Sequence, residues 1–179
     1  EIGAGFSTLM VQQAINKNKE DDVSYNCSHT CIEPFEAAWL ESTDAKVIRN
    51  KVELVDPALF QSLGSNDILF IDSSHVIRPQ GDILFEYLEL IPTLKSGVLV
   101  HVHDIYTPRD YPDKWVLTYS KLWNEQYLLE AYLSNNVEWK VVASLNYLWH
   151  NYRKNLISVC PMLEYHSEIE PTSFWMVRE

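Results

Sequence analysis

The chain has 179 residues, 46% of them apolar and 22% charged, the proportions of an ordinary globular domain with one sizeable core. Its formal net charge of −11, with no basic run longer than two residues, disfavours nucleic-acid partners and anionic membrane surfaces, both of which call for clustered Lys and Arg. No apolar run reaches the roughly 18 residues of a membrane span, and three cysteines (Cys27, Cys31 and Cys160) are too few and too odd for a disulfide scaffold, which points to a reducing, cytoplasmic setting.

Strand and helix patterns alternate along the chain, which predicts an α/β fold with a mainly parallel sheet and helices on both faces. Glu1-Ile2 reads as the end of a first strand. A domain seldom begins there, so upstream residues of that strand are expected to be missing from this sequence. Gly3-Ala4-Gly5 makes a turn into a helix over residues 7–18, with Ser7 or Thr8 as its cap. Residues 24–32 read as a second strand, and Pro34 opens a short helix ending near Leu40. Residues 47–55 read as a third strand, followed by a helix from Asp56-Pro57 to Leu63 with Gly64 closing it. The apolar run Ile68-Leu69-Phe70-Ile71 is a strand buried on both faces. Residues 79–91 form the clearest helix, with Leu84, Tyr87, Leu88 and Ile91 on one stripe, and Gly97 turns the chain into a strand over residues 98–102. Beyond Asp104 the pattern predicts a loop over residues 107–115 and a helix over residues 121–133 that buries Leu122, Leu129 and Leu133. Residues 138–143 and 173–177 read as an antiparallel edge pair. The aromatic stretch between them, residues 144–171, is expected to be a lid or binding loop. No repeat or second domain is visible, so residues 1–179 are expected to form a single domain.

The chemistry-bearing residues gather at predicted strand ends. Gly3 and Gly5 let the backbone turn sharply ahead of a helix N-terminus, which suits close approach of a nucleotide-like ligand, although Thr8 stands where a full dinucleotide fingerprint has its third glycine. Glu33 falls where doubly wound folds present a carboxylate to ribose hydroxyls; the plainer reading is a solvated helix-start carboxylate. Asp72-Ser73-Ser74-His75 and His103-Asp104 follow two buried strands, which delivers two carboxylates and two histidines to one rim. His75 or His103 can take a proton from a substrate hydroxyl; alternatively, Asp72 and Asp104 can hold a divalent cation through oxygen. The plainer alternative makes Asp72 a turn cap and His103 structural. His101 reads as a packed, hydrogen-bonded core histidine. Cys27, His29 and Cys31 share a strand face, but Cys27 and Cys31 would stand roughly 13 Å apart there, too far for one zinc ion. Tyr106, Arg109, Asp110, Tyr111, Trp115, Trp123, Asn124, Glu125 and Tyr127 mix polar and aromatic groups beside the rim, as a small-molecule pocket does.

Three segments carry a family resemblance: Leu69-Phe70-Ile71-Asp72-Ser73-Ser74-His75, Val98-Leu99-Val100-His101-Val102-His103-Asp104-Ile105 and Trp123-Asn124-Glu125-Gln126-Tyr127-Leu128-Leu129. With Glu1 to Ser7, Glu33 and Ser173-Phe174-Trp175, they make the chain resemble the class I S-adenosylmethionine-dependent methyltransferases, closest to the methyltransferase domain 24 group. The resemblance implies a Rossmann-like, seven-stranded, mostly parallel sheet with an antiparallel last strand. It implies that Glu1, Gly3 and Gly5 surround the methionine part of S-adenosylmethionine, with Ser7 also at the cofactor, that Glu33 binds the ribose, that Asp56 serves the adenine side and that Asp72 lies by the sulfonium. Related enzymes sometimes bind Mg2+ near Asp72 and Asp104. The implied reaction is methyl transfer to an oxygen or nitrogen of a small-molecule acceptor, with His75, His103 and Asp72 as catalytic candidates; an oligomer is possible.

Two other functions share the fold. An NAD-binding oxidoreductase would use the same ribose carboxylate, but Thr8 replaces the third glycine and no Tyr-x-x-x-Lys pair is present. A non-catalytic Rossmann-like binding module would keep the glycine turn without turnover.

Overall fold

The computed structural model describes residues 1–165 and 169–179. Two pieces of sheet organise the chain. Strands β1 (Thr30–Ile32) and β2 (Lys46–Ile48) pair in parallel, while β3 (Ile68–Ile71), β4 (Leu99–Val102), β5 (Trp139–Ser144) and β6 (Phe174–Arg178) form a second piece in the order β3-β4-β6-β5. β3 and β4 are parallel; β6 runs antiparallel to both its neighbours, as expected of the last strand. The single residue Ile2 bridges Ile32 on one side and Ile71 on the other, both in parallel sense. Main-chain hydrogen bonds make this seam: Ile2 N–H to Phe70 O (2.8 Å) and Asp72 N–H to Ile2 O (2.9 Å) on one side, and Gly3 N–H to Ile32 O (3.0 Å), Ile32 N–H to Glu1 O (2.8 Å) and the Glu1 amino group to Thr30 O (2.8 Å) on the other. The expected continuous seven-stranded sheet is therefore two pieces, of two and four strands, joined through residues 1–3.

Helix α1 (Phe6–Asp21) follows the Gly3–Gly5 turn, and α2 (Ala58–Gln61) follows Asp56, whose Oδ1 accepts from the Ala58 N–H at 2.9 Å. α3 (Asp82–Phe85) continues through a π turn (Glu86–Leu90) and a 3-10 turn (Ile91–Thr93). Its buried face is Ile83, Tyr87, Leu90 and Ile91, whereas Leu88 is 60% exposed. The wider π turn rotates the stripe away from the expected Leu84 and Leu88. Helix α4 (Glu125–Leu133) begins later than expected: Leu122 is exposed and Leu129 fully buried. Among the described residues, the expected lid is three short helices, α5 (Leu145–Asn151), α6 (Arg153–Val159) and α7 (Met162–Tyr165); residues 166–168 of that stretch lie outside the described residues.

The ladders are also shorter than the patterning predicts. The second strand starts only at Thr30, because β2 offers it three partners, and residues 52–54 turn as a 3-10 helix where a strand was expected. The core lies between sheet and helices, with Ile71, Val100, Val102 and Met176 of the sheet against Ile83, Tyr87, Ile91 and Leu129 of the helices. Full burial of such side chains stabilises by about 1.5–3 kcal/mol each against exposure. β5 is the open edge: Val141 and Val142 are about half exposed.

Candidate active site

The glycine turn is held by a buried carboxylate. The Glu1 side chain is 2% exposed. Its Oε1 accepts from the Ser7 hydroxyl at 2.6 Å, and its Oε2 accepts from the Thr8 hydroxyl at 2.9 Å, from His29 Nε2 at 2.9 Å and from the Cys31 thiol at 3.3 Å. Gln12 Nε2 lies 2.8 Å from His29 Nδ1 and donates to it, which leaves the His29 proton on Nε2 for Glu1. Burial pushes the Glu1 carboxyl up, but the bonds from His29, Ser7 and Cys31 prevail and hold it below the usual carboxylate range. Burial, with Glu1 alongside, pushes the Cys31 thiol up to about 12. Thr8, in the place of a third glycine, is fully buried, and its hydroxyl also accepts from the Gly5 N–H at 3.1 Å. Glu1, His29 and Cys31 lie within metal-ligand reach of one another, but their atoms are occupied by this knot; Cys27 is exposed.

Above the knot the backbone leaves room for a ligand. Gly3 has φ +86°, and a Cβ there would stand 2.1 Å from the Asp72 carbonyl oxygen, so only glycine lets the turn pack against the end of β3. A Cβ on Gly5 would meet nothing within 4 Å and would project into open space. Beside the turn lies a cavity of about 380 Å3, lined by Gly3, Glu33, Lys51, Glu53, Asp72 and Arg78 among others, with Ile2, Ile32, Phe35 and Val52 as apolar walls. That volume lies within the ordinary range for small-molecule and cofactor sites. Of the residues expected at the cofactor, Gly3, Glu33 and Asp72 line it. Glu1 and Ser7 are bound to each other in the knot. Asp56 is exposed, outside the lining, and caps α2; Glu53, which the sequence reading passed over, supplies the carboxylate of that segment. Glu33 Oε1 accepts from the Phe35 N–H at 2.9 Å, which holds the carboxylate over its own turn.

The rim residues converge as expected. His75 and Asp104 both have left-handed backbones (φ +58° and +56°), uncommon outside glycine and typical of functional sites. His75 Nε2 lies 3.2 Å from Asp72 Oδ1 and 3.9 Å from Asp104 Oδ2, and its Nδ1 lies 2.7 Å from Glu125 Oε2. Burial opposes a charge on this ring, but Asp72 and Glu125 outweigh it and push its pKa up to about 10. His75 is therefore an imidazolium clamped between carboxylates, which does not suit a proton acceptor. Burial also raises Glu125, against the hydrogen bonds from His75 and from the Tyr87 hydroxyl at 3.0 Å. Neighbouring residues of the Trp123–Leu129 segment fix α4 to the rim. Asn124 Oδ1 accepts from the Ile77 N–H at 2.6 Å, and Gln126 Oε1 accepts from the Tyr106 N–H at 3.1 Å.

His103 is the open member of the rim, with its side chain 37% exposed. Its Nδ1 lies 3.3 Å from Asp104 Oδ1, close enough for charge attraction but off the line of a hydrogen bond. The Asp104 carboxylate raises the His103 pKa against the opposing effect of burial. Asp104 is itself held below the usual range: burial raises it, and the two histidines and the Thr172 hydroxyl prevail. His101 is packed as expected, stacked 4.5 Å from Trp175 and edge-on to Phe70. It is not hydrogen-bonded, however: neither ring nitrogen has a partner, and burial with the neighbouring His103 brings its pKa down to about 4. One further group escaped sequence reading. Glu86, on the inner face of α3, is fully buried, and burial with the Glu125 and Asp82 charges pushes its carboxyl well up.

Fold and site together define an α/β protein that offers a nucleotide-sized cavity beside a rim of histidines and carboxylates. The chain belongs to the methyltransferase domain 24 family, whose model, described as a methyltransferase domain, matches residues 1–105. Membership assigns it S-adenosylmethionine-dependent methyl transfer in general terms. No curated protein and no solved structure matches the chain. Among the described residues no helix is long and apolar enough to cross a membrane.

Proposed function

We propose that residues 1–179 act as a single domain that transfers the methyl group of S-adenosylmethionine to an oxygen or nitrogen of a small-molecule acceptor. The observation that carries this reading is the cavity itself, where Gly3, Glu33 and Asp72, from three separate strand ends, meet around apolar walls. The donor set fits the cofactor. Glu33 and Glu53, both lining the cavity, would hold the ribose hydroxyls, Ile32, Phe35 and Val52 would take a flat ring, and the space over Gly5 would admit the methionine part. When bound, the cofactor supplies an electrophilic methyl group. Asp72 places a negative charge at the end of the cavity nearest the rim. His75 holds Asp72 and Asp104 together as a positioning residue. His103 accepts the acceptor's proton at Nε2, its Nδ1 side facing Asp104. Alignment of acceptor and donor is the protein's main contribution.

A metal-assisted variant draws support from one cluster: Asp72, His75 and Asp104 each bring a ligand atom within 4.8 Å of the others. A divalent cation there would replace the Nε2 proton of His75, with Glu125 accepting the Nδ1–H behind it. It would supply a lowered pKa for an acceptor hydroxyl. Activity lost in EDTA and restored by Mg2+ or Mn2+ favours this variant.

Calorimetry with S-adenosylhomocysteine and with NAD tests the main reading. We expect saturable binding of the first, weakened about tenfold or more by Glu33→Ala, and none of NAD. Binding of NAD alone would remove the methyl-transfer proposal in favour of an oxidoreductase. Binding of S-adenosylhomocysteine without transfer to any oxygen or nitrogen acceptor in a broad panel would favour a non-catalytic module.

A further inference from the structure

Next to the rim stands a cluster of aromatic rings that the proposed chemistry does not use. Trp123 lies 4.4 Å from His75, ring centre to ring centre, and meets Trp115 at 5.0 Å with the two rings at 89°. Buried Tyr106 and Tyr111 back this pair edge-on, at 5.2 Å from Trp115 and 6.4 Å from Trp123. The two indoles thus form the perpendicular walls of an open corner, each half-buried. An ammonium group already sits in it: Lys121 Nζ is 4.0 Å from the Trp115 ring centre and 3.9 Å from that of Trp123. Among the described residues, Lys121 makes no ion pair within 4 Å, so the two ring faces are its counter-charge.

We infer that the Trp115–Trp123 corner is an ammonium-binding subsite beside the rim, occupied in the free chain by Lys121 and taken over by an acceptor that carries an alkylammonium group. Three observations converge on that class. The chain's own ammonium shows that the corner takes a cation, since indole faces attract positive charge through their quadrupole. The rim, which touches Trp123 through His75, carries Asp72, Asp104 and Glu125 against His75 and His103, so a cation is drawn towards it and an anion is not. The net charge of −11 acts in the same sense at longer range. Lys121 is half-buried and tied to the corner through its backbone N–H, which donates to the Trp115 carbonyl at 2.9 Å, so that anchor stays in place if another cation displaces the side chain.

Only the identity of the ligand as methyl acceptor rests on the function proposed above; cation binding stands apart from it. The test is an NMR titration of the full chain, following the indole N–H signals, with choline and with its neutral isostere 3,3-dimethylbutan-1-ol as probes. In Lys121→Met, choline is expected to bind at least fivefold more tightly than in the parent and to move the Trp115 and Trp123 signals together. The isostere is expected to bind several-fold more weakly, and Trp115→Leu to abolish the response. Equal binding of choline and the isostere, or shifts confined to other tryptophans, overturns the inference. So does unchanged choline affinity in both Lys121→Met and Lys121→Gln, each with native-like signal dispersion. Calorimetry with S-adenosylhomocysteine on the same samples separates the readings. Choline bound without it leaves the corner and removes the cofactor, and the converse removes the corner alone.

Discussion

Glu125 is the residue on which the rim's geometry hangs, and its removal gives the sharpest test. Its carboxylate is fully buried, 2.7 Å from His75 Nδ1 and 3.0 Å from the Tyr87 hydroxyl. In Glu125→Ala the His75 charge loses its buried partner and Tyr87 its acceptor. Breaking a buried pair from one side costs about 3–5 kcal/mol. At about 2–4 °C per kcal/mol for a chain of this size, the melting temperature should fall by roughly 6–20 °C. Glu125→Gln keeps the shape and an acceptor and should cost about 1–3 kcal/mol. The sign of the pH dependence is fixed as well. The His75 pKa is raised from 6.5 to about 10, so the stability that protonation brings is complete below the lower value and drains as pH climbs towards the upper one. Parent and alanine variant should therefore converge between pH 7 and 10. Urea denaturation at several pH values, with an NMR titration of the His75 ring, measures both effects. A loss below about 1 kcal/mol at pH 7, or a His75 midpoint that stays near that of the parent, would refute the clamp.

Gly3→Ala should cost about 2–5 kcal/mol in urea denaturation, from its positive φ and the clash with the Asp72 carbonyl, while Gly5→Ala should leave folding within about 0.5 kcal/mol yet weaken S-adenosylhomocysteine binding by calorimetry. His101→Phe keeps the stack on Trp175 and removes two unpartnered nitrogens; because His101 is depressed from 6.5 to about 4, the parent should lose stability as pH falls through that window, and the variant should lose less. Glu86→Gln should be more stable than the parent at pH 7–9 by thermal melting, since the raised carboxyl of the parent loses stability as pH rises above its ordinary range. Turnover by a His103 base should rise with pH on a limb above the ordinary imidazole value, and His103→Gln should abolish that limb.

Much of this arrangement could be read from the chain alone, where local rules and the fold agree. The run Ile68–Ile71 is a strand as it reads, although only the Leu69 and Ile71 face is buried and Ile68 is half exposed; the carboxylates and histidines that follow β3 and β4 share a rim, and Gly3 stands where only glycine fits. The misreadings have physical causes. Helix α3 is apolar on more than one side, with Ile83, Leu84, Phe85, Tyr87, Leu88, Leu90 and Ile91 in nine residues, so periodicity alone did not choose its inner face. Residues 144–165 are rich in Tyr and Trp, weak helix formers, and their helices are too short to show a stripe. The charge state of His75 depends on Glu125, fifty residues further along, and on the burial of both, which spacing does not encode.

The seam at Ile2 gives the ligand a mechanical part to play. Glu33 follows the smaller sheet piece and Asp72 the larger, and among the described residues the backbone ties between the two pieces are those donated and accepted by residues 1–3. A molecule spanning the cavity would grip both plates at once. Occupancy should slow amide exchange at Gly3, Ile32 and Asp72 together, as a clasp tightens both halves of a hinge.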